Sequence, residues 1–412
     1  MLRCEDVAFD HLADEVGTPA YVYSAGAIRA QYAALDNALS GVPHRVHFSV
    51  KANGNLAILR LLRELGAGVD IVSGGELYRA QQAGFGGPDI VFSGVGKSER
   101  ELETACTFGV HLINVESAAE LERLNVVAMA HGVVAPVGIR VNPDVAVDTP
   151  HPYTRTGEGS HKFGVPVDEV VALAGRTAEL PGVRLVGLGM HIGSQISETD
   201  PYQRGVDRLL RLIGDVERVG AADLEYLDLG GGLAVSYNGE PGADVARWGR
   251  IATAAARATG LSLIVEPGRF LVANAGVLLT RVLYRKRVSG KSFVIADGGM
   301  TELLRPSHYQ AYHRIEAVVA RRTASVVDVC GPVCESGDFL ALDRELDDVE
   351  PGDLLVVHSA GAYGFVMAST YNARPRAPEV LVDGARWAVV RRRETYDDLV
   401  SHELAPPQWR SA

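Results

Sequence analysis

Between residues 44 and 270, apolar runs of strand length alternate with helical patterns. Among simple architectures, a parallel sheet with crossover helices fits that rhythm. Eight runs qualify as strands, at 44–50, 68–72, 89–93, 111–115, 136–141, 184–190, 225–229 and 262–266. The intervening helices are equally legible. Ile58, Leu61, Leu62 and Leu65 fall at i, i+3, i+4 and i+7, and Gly66 follows where a helix needs a left-handed stop. Val206, Leu209, Leu210 and Ile213 repeat the pattern, and Ser117 stands before AAELERL as an N-cap. Eight strand-helix units predict an α/β fold, a closed (β/α)8 TIM barrel over residues 25–275.

From residue 276 the pattern changes to short β-rich runs broken by Gly, Pro and Asp, among them KSFVIADGG, ASVVDVC and DLLVVHS. These predict a second, C-terminal domain of β-sandwich or β-barrel-like form over 276–412. The early run PAYVY, ahead of the first barrel strand, belongs with it, so residues 1–24 contribute to that domain.

Hydrophobic residues make up 47% of the chain and charged residues 22%, the balance of a globular protein with a substantial core. The net charge of -11 repels a phosphate backbone, which argues against a nucleic-acid partner. Acids stand near the N-terminus where a signal peptide needs a basic and then an apolar run, and no apolar stretch reaches transmembrane length. Four irregularly spaced cysteines are unlike a disulfide framework. A cytoplasmic protein with reduced thiols and no membrane association is expected.

In a barrel of this kind the reactive groups collect at the C-terminal ends of the strands. Strand one runs into Lys51, strand five contains Arg140, strand six leads into His191, strand seven into Gly230-Gly231-Gly232, and strand eight ends at Glu266 before Gly268-Arg269. A lysine at the end of an apolar strand loses hydration, which favours the neutral amine that attacks aldehydes; an isolated one more simply snorkels to solvent. Three glycines let backbone amides approach an anion, although a tight turn also explains them; Gly268 and Arg269 strengthen the anion reading. Glu266 could keep a basic ring nitrogen protonated, or form a structural salt bridge. Lysine, anion loop and acid at one mouth favour the chemical reading of each.

The stretch 148–164, DTPHPYTRTGEGSHKFG, has no periodicity and reads either as a lid or as a surface loop. GPVCESGD presents Cys334 and Glu335, and AGAYG presents Tyr363. Cys330 and Cys334 lack the further Cys or His residues of a metal site, so no metal is expected.

Together HFSVKAN, GVDIVSGGEL, RVNPD, HIGSQ, LDLGGGL, EPGR, MTELLRPSHY, GPVCESGD and GAYGFVMASTYNARPR closely resemble the fold-type III pyridoxal-phosphate decarboxylases over residues 17–403, and within them the branch acting on diaminopimelate. The resemblance implies an alanine-racemase-like fold and pyridoxal 5′-phosphate as cofactor. It implies that Lys51 forms the Schiff base, His191 stacks on the ring, and Glu266 pairs with the ring nitrogen. Ser194, Gly230, Gly231, Gly232, Gly268 and Tyr363 would hold the phosphate. Asp70, Glu76 and Arg140 would form a supporting polar network. Arg269, Arg305, Tyr309 and Glu335 would bind the far end of the amino-acid substrate, whose distal carboxylate calls for arginines, and Tyr363 would touch the substrate as well. Lys51 and Cys334 are the candidate proton donors. The resemblance further implies a homodimer with Cys334 and Glu335 supplied across the interface. One departure is Gly189, where many relatives carry a histidine. Decarboxylation of ornithine, arginine or a carrier-bound aminoacyl group stays open as an alternative. A racemase would lack the CESGD loop, and a non-catalytic regulator would not need Lys51, Glu266 and Cys334 together.

Overall fold

The computed structural model describes residues 1–147, 149–151, 157, 161–220 and 223–410. The chain forms two compact units, one of residues 25–275 and one of residues 1–24 with 276–412.

The first unit is a closed parallel barrel. Its strands are β1 (His44–Ser49), β2 (Gly68–Ile71), β3 (Ile90–Phe92), β4 (Leu112–Val115), β5 (Ala135–Asn142), β6 (Val183–Met190), β7 (Tyr226–Asp228) and β8 (Ser262–Val265). They pair in sequence order, and β8 pairs with β1 to close the ring. All eight expected strands form, each end within one residue of its expected place.

The helices are α1 (Ala25–Ala38), α2 (Leu56–Glu64), α3 (Gly74–Ala83), α4 (Glu99–Phe108), α5 (Ala118–Ala130), α6 (Val167–Arg176), α7 (Asp200–Arg218) and α8 (Val245–Thr259). The periodicity leads one to expect a helix after every strand, but β8 is followed only by the single turn Arg269–Val272. The eighth place is filled by α1, which precedes β1 and packs against both α8 and α2. The buried face of α7 also differs from expectation: Leu212 and Val216 are buried with Val206, Leu209 and Ile213, while Leu210 is half-buried.

Three successive helices begin with the same device. Ser73, Ser98 and Ser117 each accept a hydrogen bond from the backbone N–H three residues on. The glutamates at those third positions turn back as well: Glu101 accepts from Ser98 N, whereas Glu76 and Glu120 accept from the residue before the serine, Val72 N and Glu116 N. This Ser-x-x-Glu exchange satisfies amides that a helix start leaves open, and it fixes the turn between each strand end and the next helix.

Lys97 ties two of those turns together. Its buried amine donates to the carbonyls of Gly94 and Asn114, each at 2.7 Å, and to Glu120 Oε1 at 2.7 Å. The ends of β3 and β4 are thereby locked to one cation. Lys97→Met should destabilise the barrel by about 3–5 kcal/mol, because Glu120 and two carbonyls lose their donor; a urea unfolding midpoint close to that of the parent chain would contradict this role.

In the second unit, the N-terminal strand Ala20–Ser24 lies between β9 (Gly276–Val288), antiparallel to it, and a late parallel strand at Glu379–Asp383. Strands β10 (Lys291–Ala296), β11 (Ala324–Cys330) and β12 (Phe339–Asp347) extend the sheet beyond β9, and β13 (Leu354–Val357) pairs with another part of β9. Val22, Leu279, Val356, Val380 and Val382 form its core with Leu12 of the N-terminal segment.

Candidate active site at the mouth of the barrel

Closure of the barrel brings polar residues from nearly every strand end to one mouth. Lys51 lies in the turn Val50–Ala52 directly after β1, and its Nζ is 3.5 Å from Asp70 Oδ2 at the end of β2. Asp70 is buried and also accepts from Ser49 Oγ at 2.9 Å. Ser49 N in turn donates to Pro267 O, joining β1 to the loop after β8.

Glu266 is buried at the end of β8 and accepts from Ser93 Oγ at 3.2 Å. Asn114 Nδ2 donates to Ser93 Oγ at 3.2 Å and to Asp228 Oδ2 at 3.1 Å. Asp228 Oδ1 accepts from Gly230 N at 2.8 Å. Burial pushes both carboxyl groups above their ordinary range, and the neighbouring Asp228 raises Glu266 further. Gly189 lies in register beside Asp228, where an added Cβ would stand 2.8 Å from the Asp228 Cβ. The glycine therefore leaves Asp228 the space it occupies.

Arg140 is held by Glu116 at 2.9 Å and covers the Phe163 ring at 5.0 Å. Glu116 also accepts from Gly94 N and Gly164 N, so one carboxylate fixes two loops and the end of β5. His191 follows β6, and its Nδ1 accepts from Gly231 N at 3.1 Å, which leaves the ring proton on Nε2. Burial, with Lys51 and Arg140 nearby, holds His191 well below the usual imidazole range, so the ring is neutral near pH 7.

The glycine run is required by packing. A Cβ on Gly230, which has φ of 62°, would meet Met190 O at 2.5 Å. On Gly231 it would meet Glu266 O at 2.2 Å, and on Gly232, with φ of 99°, Gly193 O at 2.3 Å. No other residue lets the loops after β6, β7 and β8 approach so closely. Beside them Arg269 donates to Ser194 Oγ at 3.0 Å and to Tyr237 Oη at 2.7 Å. Gly268 caps the turn that Arg269 begins.

The barrel thus gathers Lys51, Asp70, Arg140, His191, Ser194, Gly230 to Gly232, Glu266, Gly268 and Arg269 at strand ends. Glu76 is placed differently from the others: its carboxylate caps the Val72 amide at 2.7 Å at the start of α3. In the second unit Arg305 is buried on the helical turn Arg305–Tyr309, its guanidinium on His313 Nε2 at 2.9 Å. Cys334 and Glu335 are exposed on the loop after β11, and Tyr363 is half-buried with φ of 55°. Much of 148–164, the candidate lid, lies outside the described residues. Among the described residues no cluster of His, Cys, Asp or Glu could hold a metal ion, and no helix is long and apolar enough to cross a membrane.

Ser49, Ser93, Asn114, Glu116 and Asp228 join the mouth without having stood out in the sequence. Their signal was available, since four are polar residues within or next to the last two positions of otherwise apolar strands, and Glu116 follows one directly.

Over residues 25–273 the chain matches the family described as pyridoxal-dependent decarboxylase, pyridoxal binding domain. It is 50% identical to the diaminopimelate decarboxylase of Pseudomonas aeruginosa, over 99% of this chain and 98% of that protein. The crystal structure of diaminopimelate decarboxylase from Helicobacter pylori complexed with L-lysine superposes with a TM-score of 0.93 at 37% identity, covering 96% of this chain and 99% of that one. The enzyme from M. jannaschii, also with L-lysine, gives 0.92 at 35% identity, over 97% and 95%. The chain belongs to the diaminopimelate decarboxylase family of pyridoxal-dependent decarboxylases.

Burial, opposed by the bond from Val72, raises Glu76 from the ordinary 4.5 to about 7. A carboxyl raised on folding contributes stability that is complete below its unfolded value and is lost as pH rises through the folded one. Barrel stability should therefore decline between pH 4.5 and about 7, and Glu76→Gln should make the decline shallower. Denaturant midpoints across that range check this; parallel profiles for the two proteins would assign the proton to another group.

Proposed function

We propose that this chain decarboxylates meso-2,6-diaminopimelate to L-lysine and carbon dioxide with pyridoxal 5′-phosphate. The observation that carries the reading is Lys51 at the end of β1, sharing one barrel mouth with the Gly230–Gly232 loop and the buried acid Glu266. The likeness to enzymes of that name, two of them crystallised with L-lysine, supports the substrate.

The residues present fit such a cofactor: an amine for its aldehyde, a cradle without β-carbons for its phosphate, and a buried acid for its ring nitrogen. Lys51 would hold the aldehyde carbon, His191 the ring face and Glu266 the ring nitrogen. Ser194, Gly230 to Gly232, Gly268 and Tyr363 would surround the phosphate. When bound, the group supplies an electron sink for the pair left behind as carbon dioxide departs.

Asp70, 3.5 Å from Lys51 Nζ, keeps the amine at the mouth. His191 is neutral, so it adds no second cation beside Lys51. Arg140 is clamped by Glu116 and acts on His191 from nearby. Arg269, Arg305, Tyr309 and Glu335 are assigned to the distal amino and carboxylate groups of the substrate, where two guanidinium groups suit a second carboxylate. Cys334 or Lys51 returns the proton to the α-carbon.

The active species in this reading is a cytoplasmic homodimer in which the Cys334–Glu335 loop of one chain completes the barrel mouth of the other. The exposure of both residues is consistent with that use.

Carbon dioxide release from meso-diaminopimelate with added pyridoxal phosphate tests the assignment, and faster release from ornithine or arginine would overturn the substrate. Lys51→Ala should abolish both turnover and borohydride fixation of the cofactor; normal rates would remove the lysine from the chemistry. Cys334→Ala should lower kcat by about 100-fold or more if the thiol returns the proton. An unchanged kcat would leave that role to Lys51.

A further inference from the structure

The mouth buries Glu266 and Asp228 together. Asp70 faces Lys51 Nζ at 3.5 Å, and Lys51 also acts on Glu266. Asp228 takes its hydrogen bonds from the neutral donors Asn114 Nδ2 and Gly230 N, one on each oxygen. Those donors favour the ionised form of Asp228. Glu266 stands beside it, since β7 and β8 pair and Glu266 N donates to Gly230 O, and Ser93, which Asn114 links to Asp228, reaches its Oε1. Two neighbouring carboxylates in a buried site cannot both ionise without a large repulsion, so the pair retains one proton.

We propose that Asp228 is a positioning residue that retains one proton on Glu266 for delivery to a basic ring nitrogen at the barrel mouth, with Asn114 setting which of the two acids carries it. This rests on the cofactor reading above. The orientation of Asn114 suits that role, because its amide nitrogen bridges Asp228 and Ser93, and Ser93 passes its own hydrogen to Glu266. The reverse orientation would set a carbonyl oxygen against a carboxylate. Lys97 fixes the strand end from which Asn114 projects, through the Asn114 carbonyl.

Among the described residues, the titratable groups acting on the pair include Asp70 at the end of β2 and Lys51 after β1, with Arg140 near the end of β5 and His191 after β6 at the same mouth. Asp70 raises the proton affinity of the pair and Lys51 lowers it. His191 is neutral and contributes no charge. Arg140 is paired with Glu116. Asp228 is therefore the anion placed to decide whether the proton is retained as pH rises.

The test uses the full chain loaded with pyridoxal phosphate and follows the absorbance of the bound cofactor across pH, with kcat for meso-diaminopimelate measured in parallel. Asp228→Asn keeps the shape and removes the charge. It should move the alkaline transition down by about one to two pH units, the effect of losing one adjacent like charge. Asn114→Ala removes a donor that favours ionised Asp228, so it should move the transition up. Opposed shifts support the inference, since a merely structural role would move both variants alike. Superimposed transitions, or shifts in the same direction, overturn it. Should Asp228→Asn fail to fold, the upward shift of Asn114→Ala is the deciding measurement, and its absence overturns the inference. The titration needs cofactor binding but no turnover, so a parent chain inactive on meso-diaminopimelate would remove the functional reading and leave this one standing or falling on its own.

Discussion

Several carboxyl groups buried around one barrel mouth are the constraint to which the rest of the site answers. Asp70, Asp228, Glu116 and Glu266 are all buried, and like charges this close in a medium of low dielectric repel strongly. Each is accommodated in a different way. Asp70 faces Lys51, and Glu116 is bound by Arg140 and two loop amides. Asp228 and Glu266 share a proton. The same groups fix Lys51 and Arg140 in place, so the basic side chains at the mouth are held by acids that burial would otherwise make costly.

The glycine run acquires a physical reason beyond the two that the residues alone leave open. Gly230 N is committed to Asp228 and Gly231 N to His191, so these amides already serve the protein's own side chains. What all three positions share is a close backbone approach, to Met190, Glu266 and Gly193, that a β-carbon would prevent. Glycine here brings three strand-end loops within hydrogen-bonding reach of one another. A surface free of β-carbons at the mouth is a consequence of that packing.

Most of the barrel was legible because its strands are apolar runs of the right length and its helices carry apolar stripes at helical spacing. Lys51, His191 and Glu266 stood out as polar residues immediately beyond such runs. Ser93, Asn114 and Asp228 did not, because each is the last or next-to-last residue of a strand pattern and looks like ordinary punctuation. Their meaning lies in partners 114 and 173 positions away in the chain, joined only when the ring closes. The place of α1 was hidden for the same reason. A helix ahead of β1 fills the gap after β8 only in a closed barrel, and local periodicity carries no trace of closure.

The second unit solves a different problem, the rigid display of polar residues in water. Cys334 and Glu335 are exposed, yet the loop that bears them is built around buried Asp338. That carboxylate accepts from Met300 N and Val333 N, each at 2.6 Å. Glycines at 299 and 331 are required beside it, since a Cβ on either would come within 2.5 Å of its oxygens. Behind Arg305, His313 donates from Nδ1 to the His358 carbonyl, which fixes the tautomer that accepts the guanidinium at Nε2. A loop that served only as a connection would not need a buried carboxylate and two obligatory glycines to hold it. Such a scaffold holds the backbone of Cys334 and Glu335 in one geometry, which the proton return proposed above would require.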